Sequence, residues 1–325
     1  MSEIVLVTGA AGFVGGNLLN AIGSDEPSAT IVGWHRPPTG QRAASPTNDR
    51  SAASSSVKWQ AVDLLDGDAV NHAIANLRPS CVYHCGGVAD VGGSWKNNLR
   101  TLEGNVRGTH HLLEAIRHAC LDTRVLIPGS ALIYRPSTRA ISENDPVGPV
   151  SPYGVSKLAQ EMLGQQFANE GHAVLLTRSF THFGPGQDVS YAASSFANQL
   201  ARIEAGKIEP VIRVGFLDAR RDLTDVRDTV AAYRALMAQG IPGRPYNICS
   251  GRAHKIRDVL DGLLRHSRVP VEVVVDPERL RPSDNPLLMG DPSRIRREIG
   301  WQPDITFDQT LCDLLDHWRT TIRYT

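Results

Sequence analysis

The sequence lacks an excess of charge of either sign, because 34 lysine and arginine residues are balanced by 34 aspartate and glutamate residues. Proteins that bind nucleic acids or anionic membranes usually carry a clustered basic excess, so the balance argues against both kinds of partner. Apolar residues make up 41% of the 325 positions and charged residues 21%, which is typical of a folded globular protein. The length is enough for one large or two modest domains.

Long apolar runs and a disulfide framework are also missing. The longest apolar stretches, such as 269–275, are far shorter than the roughly 20 residues of a membrane-spanning helix, and no basic leader opens the chain. The five cysteines are odd in number and lie mostly in apolar segments, so we predict buried, reduced thiols and a cytoplasmic protein. Cys81, His84 and Cys85 could suggest a metal site. We interpret them instead as residues of a buried strand and predict no metal.

The first half of the chain alternates apolar segments with segments of helical length. The predicted strands are 4–7, 31–34, 57–62, 81–85, 124–129 and 174–178. The predicted helices between them include 12–23, 69–77, 105–119 and 152–169. Continuously apolar strands that alternate with helices predict an α/β fold with a doubly wound parallel sheet of the Rossmann type, covered on both faces.

After about residue 180 this rhythm gives way to loops rich in proline and glycine, and it returns once near 246–249. We expect a cofactor-binding domain formed by 1–180 plus 223–250. A second, smaller α/β domain for the substrate would then consist of 181–222 plus 251–325. Segment 37–56 has no bulky apolar residue, and we predict a mobile loop there, either an inert insertion or a lid over a cofactor.

A glycine-rich turn follows the first predicted strand, in the sequence IVLVTGAAGFVG at 4–15. Gly9 allows the tight turn, Gly12 lets the backbone approach a pyrophosphate, and Gly15 lets the following helix pack closely on the sheet. The N–H groups at the start of that helix would face the phosphates. The spacing is GxxGxxG rather than GxGxxG, but its place between a strand and a helix predicts a dinucleotide site.

The end of the second strand indicates which dinucleotide is bound. An NAD site has a carboxylate there for the ribose 2′-hydroxyl, whereas this chain has Trp34-His35-Arg36. The planar guanidinium of Arg36 suits a 2′-phosphate, so NADP(H) is favoured over NAD(H). The alternative is that Arg36 is a solvated loop charge. Asp63 and Leu64, after the third strand, are expected near the adenine ring.

Three further residues predict acid–base chemistry. Tyr153 and Lys157 are four residues apart in a predicted helix and therefore share one face. A neighbouring ammonium favours the phenolate, so Lys157 is expected to lower the pKa of Tyr153 and also to hold the nicotinamide ribose. Ser130 follows the strand 124–129, at the sheet edge where doubly wound folds bind ligands, and its hydroxyl can polarise a carbonyl. Taken alone, Ser130 could be a turn residue.

These motifs resemble the extended short-chain dehydrogenase/reductases, the family of nucleotide-sugar epimerases, dehydratases and reductases. The resemblance covers nearly the whole chain and rests on TGAAGFVG at 8–15, SALIY at 130–134, YGVSK at 153–157, RSFTHFGPGQ at 178–187, RRDLTDVRD at 220–228 and YNICSG at 246–251. The segment RPSDNPLLMGDPSRIRREIGWQP at 281–303 is similar to the branch of the GDP-mannose 4,6-dehydratases and GDP-4-keto-6-deoxymannose reductases.

The resemblance implies roles for individual residues. The implied catalytic residues are Ser130, Tyr153 and Lys157. The implied cofactor contacts are Gly9, Ala11, Gly12, Phe13, Val14, Gly15, His35, Arg36, Asp63, Leu64, Gly86, Gly87, Val88, Asn105, Tyr153 and Lys157. The implied substrate contacts are Ser130, Ala131, Thr181, Arg221 and Arg281, of which the two arginines would clamp the diphosphate.

The resemblance also implies a homodimer joined by a four-helix bundle that includes the helix of Tyr153 and Lys157. The apolar positions along that helix fit this interface, and they would fit a core-facing stripe equally well. These positions are Leu158, Met162, Leu163 and Phe167.

Several positions depart from the family pattern. Leu132 stands where the dehydratases have a glutamate, and leucine cannot perform the acid–base steps of dehydration. Thr181 replaces the usual asparagine, Gly86-Gly87 replaces Ala-Ala, and Arg135 stands where glycine is usual.

We therefore predict NADPH-dependent reduction of a nucleotide-linked 4-keto-6-deoxy sugar, with GDP-4-keto-6-deoxymannose as the leading substrate. The alternatives are an epimerase or dehydratase that recycles a tightly bound nicotinamide, and a non-catalytic NADP-binding sensor.

Overall fold

The structure is a computed structural model that describes residues 3–25, 29–37, 57–280 and 285–323. Its strands are β1 (Ile4–Thr8), β2 (Thr30–His35), β3 (Val57–Ala61), β4 (Cys81–His84), β5 (Arg124–Ile127), β6 (Val174–Ser179), β7 (Thr181–Phe183), β8 (Val211–Val214), β9 (Arg220–Asp225), β10 (Pro245–Ile248), β11 (Ala253–Lys255), β12 (Glu272–Val275) and β13 (Leu287–Leu288). Its helices are α1 (Phe13–Asp25), α2 (Gly67–Leu77), α3 (Asn98–Leu102), α4 (Gly108–His118), α5 (Pro152–Asn169), α6 (Ala192–Glu204), α7 (Val226–Gln239), α8 (Ile256–Arg265), α9 (Ser293–Ile299) and α10 (Phe307–Arg323).

The central feature is a seven-stranded sheet in the order β10-β6-β5-β4-β1-β2-β3, in which every neighbouring pair is parallel. Three strands end earlier than predicted, β3 at Ala61, β4 at His84 and β5 at Ile127. After β4 and β5 the chain leaves the sheet to form the site described below. The prediction of a doubly wound parallel sheet is confirmed.

Both faces of this sheet are covered, as the continuously apolar strands predict. Successive side chains of a strand point to opposite faces. Val5 and Val7 of β1 accordingly pack in a cluster that includes α1 and α7, whereas Leu6 packs in a second cluster with residues of α2, α4 and α5. The middle of β1 is fully buried, so this strand fixes the position of the turn that follows it.

The later part of the chain adds a smaller unit. Strands β7, β9, β11 and β13 form a second sheet, β8 pairs with β12, and a third apolar cluster joins α6, α8 and α10. Strand β10 returns to the main sheet, while β9 crosses the predicted boundary at residue 222. Ile295 and Ile299 of α9 pack in the cluster of α1 and α7. The domain boundaries stay a prediction.

The cysteine prediction is partly wrong. All five cysteines are free thiols, but Cys249 alone is fully buried, and Cys120 is exposed in the turn after α4 with a φ of 49°. Its apolar flanks pack inward while the turn itself faces solvent. Among the helices of the described ranges, none combines the length and the apolar character that crossing a membrane requires. Most of the predicted loop, residues 38–56, lies outside the described residues.

Candidate active site

The glycine turn between β1 and α1 forms an exposed cradle at the carboxyl edge of the sheet. Gly9 has a φ of +62°, and a Cβ there would lie 2.6 Å from the Cys85 carbonyl oxygen. A Cβ at Gly15 would collide with the Gly9 carbonyl. Ala11 and Gly12 are exposed, and α1 begins at Phe13, so the first N–H groups of the helix face the same edge. This cradle fits the pyrophosphate of a dinucleotide.

The predicted residues occupy this edge in an order that suits a dinucleotide. Arg36 follows β2 and Ser130 follows β5, on opposite sides of the glycine turn that follows β1. Neighbouring strands lie about 4.8 Å apart, so three strand spacings separate the two residues by roughly 14 Å. The nicotinamide end would therefore lie toward Ser130 and the adenosine end toward Arg36.

Asn105 ties the loop after β4 to the catalytic helix. It lies in a π-helical segment between α3 and α4, where its Oδ1 accepts a hydrogen bond from the Val88 N–H at 2.7 Å. Its Nδ2 donates to the Val88 carbonyl at 3.1 Å and to Ser156 Oγ at 2.9 Å. Ser156 in turn donates to the Tyr153 carbonyl at 2.7 Å. The Asn105 amide thus holds the loop after β4 against α5. Its predicted contact with the cofactor stays a prediction.

Helix capping places Tyr153 beside Ser130. Ser151 Oγ accepts a hydrogen bond from the Gly154 N–H at 3.1 Å, and Pro152 is the first residue of α5, so Tyr153 lies in the first turn. Ser130 is 7% exposed and caps the short helical turn 131–133. Burial raises the pKa of Tyr153 to about 12, and its hydrogen bond with Ser130 acts in the opposite direction. The phenol therefore holds its proton at neutral pH.

Lys157 lies one turn further along α5 and is buried. Its Nζ donates to the Pro128 carbonyl at 2.6 Å and to Gln160 Oε1. Burial lowers the pKa of Lys157 to about 8, while Cys85 and Glu161 act to raise it. The expected lowering of the Tyr153 pKa by Lys157 is not what this structure shows, because burial is the larger influence and the ammonium points to the end of β5.

A buried polar network behind Lys157 was missed in the sequence. Gln160 Nε2 donates to Thr109 Oγ1 at 2.6 Å, and Thr109 Oγ1 lies 2.9 Å from His84 Nε2. His84 Nδ1 lies 2.9 Å from Thr8 Oγ1. Burial and the Lys157 charge lower the pKa of His84 to about 3, so the ring is neutral. Because both ring nitrogens of His84 face threonine hydroxyls, we interpret His84 as a structural residue. The spacing of Gln160 three residues after Lys157 was the one feature of the sequence that could have predicted this network.

The predicted 2′-phosphate site is exposed. Arg36 Nε lies 3.9 Å from Asp63 Oδ1, and these side chains are 52% and 37% exposed. An exposed ion pair at this distance contributes little, so the guanidinium is accessible to a ligand. Leu64 packs close to Gly86, where a Cβ would lie 2.5 Å from Leu64 Cδ1. His35 Nδ1 bonds the neighbouring backbone at 3.0 Å.

The predicted substrate residues are less closely grouped. Ala131 is buried, and Leu132 packs against the apolar cluster that contains Ala131. Thr181 and Arg221 are half-buried in β7 and β9, and burial lowers the pKa of Arg221. Arg281 lies outside the described residues.

Two other residues of this region were missed by the sequence analysis. Asp222 is fully buried, and its carboxylate accepts hydrogen bonds from the N–H groups of Ser250, Gly251 and Gly290, so it holds the segments around Arg221 in place. Tyr191 precedes α6, and its hydroxyl donates to the Ala89 carbonyl at 3.3 Å. A negative charge on Tyr191 would raise the pKa of Tyr153.

Comparison with known proteins decides the family. The family model described as GDP-mannose 4,6 dehydratase matches residues 6–314. The chain belongs to this family. It is 34% identical over 327 residues to GDP-6-deoxy-D-mannose reductase of Pseudomonas aeruginosa, covering 99% of both chains. It is 25% identical over 293 residues to GDP-mannose 4,6-dehydratase of Vibrio cholerae, covering 78% of this chain and 76% of the relative.

A solved structure of the same family extends the match to three dimensions. The RMD protein from Pseudomonas aeruginosa, complexed with NADPH, superposes with a TM-score of 0.82 and 31% identity, covering 98% of this chain and 100% of that one. Membership of the extended short-chain dehydrogenase/reductases is thereby confirmed, and the chain is an NAD(P)-dependent oxidoreductase of that type. The predicted cofactor, NADP(H), agrees with the dinucleotide bound in that neighbour.

Proposed function

We propose that this enzyme reduces a nucleotide-linked 4-keto-6-deoxy sugar with NADPH, most specifically GDP-4-keto-6-deoxymannose to a GDP-6-deoxyhexose of the GDP-rhamnose type. The observation that carries the proposal is the contact of half-buried Tyr153 with buried Ser130, beside buried Lys157 and next to an apolar Leu132. The pair supplies what ketone reduction needs, and Leu132 removes the carboxylate that dehydration needs. The Pseudomonas reductase, similar along its whole length, supports the same reaction.

Tyr153, Ser130 and Lys157 each have a separate role in the proposed reduction. NADPH supplies a hydride to the keto carbon when bound. Tyr153 donates its proton to the oxygen that becomes the hydroxyl, and its raised pKa keeps that proton in place until the reaction. Ser130 donates a hydrogen bond to the same oxygen as negative charge develops. The Lys157 ammonium is assigned to the nicotinamide ribose, which it would hold through a donated hydrogen bond.

Binding of the cofactor and the substrate is assigned to the predicted contacts. The glycine turn and the start of α1 would hold the pyrophosphate of NADPH, and Arg36 its 2′-phosphate. Arg221 and Arg281 would clamp the diphosphate of the sugar nucleotide, in bidentate, charge-assisted hydrogen bonds. We propose that the main sheet and the smaller unit form the two domains of the sequence analysis, and that the protein is cytoplasmic.

Exposed apolar side chains on α3 and α5 support the proposed homodimer. Leu99 of α3 and Met162 of α5 are 66% and 64% exposed, and Val155 lies on the same helix at 48%. Such residues on two adjacent helices are suited to a four-helix bundle with a second copy. Phe167 is different, because it is buried in the core of the main sheet and is therefore part of that core.

The direct test is nicotinamide absorbance at 340 nm while the protein meets NADPH and GDP-4-keto-6-deoxymannose made in situ. We expect one NADPH to be lost for each sugar nucleotide reduced. No loss of absorbance while NADPH still binds would contradict the proposal. Conversion of a GDP-sugar without net NADPH loss would instead identify an epimerase that recycles its cofactor.

A further inference from the structure

Gln160 is the one side chain that joins Lys157 to the buried network of Thr109, His84 and Thr8 within the described residues. It lies on α5 three residues after Lys157, so both project from the same helix face. Gln160 is 1% exposed, and burying an amide without partners would be costly. Both ends of the amide are bonded, one to a catalytic residue and the other to α4.

The chemistry of the partners fixes which end of the amide faces which. A lysine ammonium has donors only, so the atom of Gln160 that faces Lys157 is the carbonyl oxygen. The NH2 end therefore donates to Thr109 Oγ1, whose own proton goes to the Asn105 carbonyl at 2.7 Å. Thr109 then accepts a second hydrogen bond from His84 Nε2. The directions of these hydrogen bonds are therefore mutually consistent.

The directions of the hydrogen bonds at the Thr8 end of this network are fixed in the same way. With Nε2 of His84 as a donor, Nδ1 is an acceptor and takes the proton of Thr8 Oγ1. Thr8 Oγ1 in turn accepts from the Gly86 N–H at 3.0 Å. The network thus runs from the strand before the glycine turn to the catalytic lysine, and its neutral histidine fixes each direction.

We propose that Gln160 is a positioning residue, whose carbonyl oxygen fixes the Lys157 ammonium in place and whose orientation is locked by Thr109 and His84. This inference rests on the proposed function, in which Lys157 holds the nicotinamide ribose. Lys157 has three N–H donors, and two are directed to Pro128 and Gln160. The third is left, with a fixed direction, for the cofactor.

The same contact stabilises the charged form of Lys157. A hydrogen bond accepted from an ammonium favours that form. The other groups that face Lys157 are the neutral His84 of β4, the Cys85 thiol directly after that strand, and Glu161 of α5. Arg178 of β6 neutralises Glu161, with Nη2 2.7 Å from Oε1, and Tyr153 is bonded to Ser130. Loss of the Gln160 oxygen therefore leaves a buried ammonium with one neutral acceptor.

The first experiment follows the lysine itself and needs neither substrate nor cofactor. The chain has five lysines, Lys58, Lys96, Lys157, Lys207 and Lys255, so ¹³Cε labelling gives few resonances to follow by NMR across pH. We expect the Lys157 midpoint to fall by about one pH unit or more in Gln160→Leu and to rise in Gln160→Glu. Gln166→Leu, an exposed position of α5, is the matched control and leaves it unchanged. Equal midpoints in all four proteins would overturn the inference.

The second experiment is NADPH binding by fluorescence titration from pH 6 to pH 9. We expect Gln160→Leu to bind NADPH about tenfold or more weakly and to lose binding at a lower pH than wild type. If Gln160→Leu is unstable, Gln160→Glu, whose side chain has the same size, is used instead. In that variant we expect NADPH binding to be lost at a higher pH than in wild type. Tighter NADPH binding by Gln160→Leu would show that the Gln160 contact keeps Lys157 away from the cofactor. A lower melting temperature with unchanged NADPH binding would show a purely structural role for Gln160. Either result overturns the inference.

These outcomes separate the inference from the function on which it rests. A wild-type protein that fails to bind NADPH would contradict the proposed function and this inference together. Wild-type binding with a shifted lysine midpoint, but no turnover of the GDP-sugar, would contradict the substrate alone.

Discussion

The two ends of the proposed cofactor site are built in different ways. At the nicotinamide end, Lys157 is buried, and its ammonium is bonded to Pro128 and Gln160. At the adenosine end, Arg36 is 52% exposed and has a single described ion pair, at 3.9 Å, with Asp63. Charges interact strongly where water is excluded and weakly where it is present. We infer that the buried end carries out the chemistry and that the exposed end sets the choice between NADPH and NADH.

The largest expected effect is at the buried end. Tyr153→Phe removes the proton donor and is expected to lower kcat about 10²–10⁴-fold, because general acid catalysis contributes that much. NADPH affinity is expected to change little, since the phenol is assigned to the sugar rather than to the phosphates. The measurement is steady-state turnover beside a binding titration. Turnover that survives this change would show that another group supplies the proton.

The next effect concerns the packing that holds the buried end. Arg178 and Glu161 form a buried pair with contacts of 2.7 and 2.9 Å, and Glu161→Ala leaves the guanidinium unpaired. We expect a loss of about 3–5 kcal/mol in the free energy of unfolding. Arg139→Ala, which removes an exposed arginine from its pair with Asp145, is the control and is expected to cost less than about 1 kcal/mol. Urea denaturation measures both, and equal losses would mean that burial does not distinguish the pairs.

Arg36→Ala tests the exposed end. We expect the preference for NADPH over NADH in kcat/KM to fall by about 10–100-fold, because a charge-assisted contact to the 2′-phosphate is lost. Salt screens exposed charges, so the effect is expected to shrink at high ionic strength. Arg257→Ala, an exposed arginine of α8, serves as the control. An unchanged preference would assign the 2′-phosphate to other residues.

A further effect is a pH dependence set by Lys157. Its pKa is lowered by burial to about 8, so the ammonium is present below that pH and is lost above it. We expect kcat/KM for NADPH to fall up to tenfold for each pH unit above about 8. Rates measured from pH 6 to pH 10 would show this limb. A profile that stays flat to pH 10 would mean that the charge of Lys157 is not required.

The parallel sheet could be predicted from the sequence because its signals are local. The helix that carries Tyr153 and Lys157 was predicted at the bounds the structure has, because Ser151 and Pro152 form a strong start signal. Contacts between distant residues could not be predicted. Gln160 meets Thr109 across 51 positions, and Asp222 meets Ser250 across 28. The burial that raises the pKa of Tyr153 depends on tertiary packing in the same way.

The proposed reaction is net transfer of a hydride from NADPH to a keto sugar, and isotope labelling follows that hydride. NADPH that carries deuterium at both C4 positions of the nicotinamide would be incubated with the enzyme and GDP-4-keto-6-deoxymannose, and the product analysed by mass spectrometry. We expect one deuterium in each GDP-6-deoxyhexose, on the carbon that bears the new hydroxyl, for each NADP⁺ formed. A GDP-sugar product without deuterium, or NADPH left intact while the sugar changes, would contradict it.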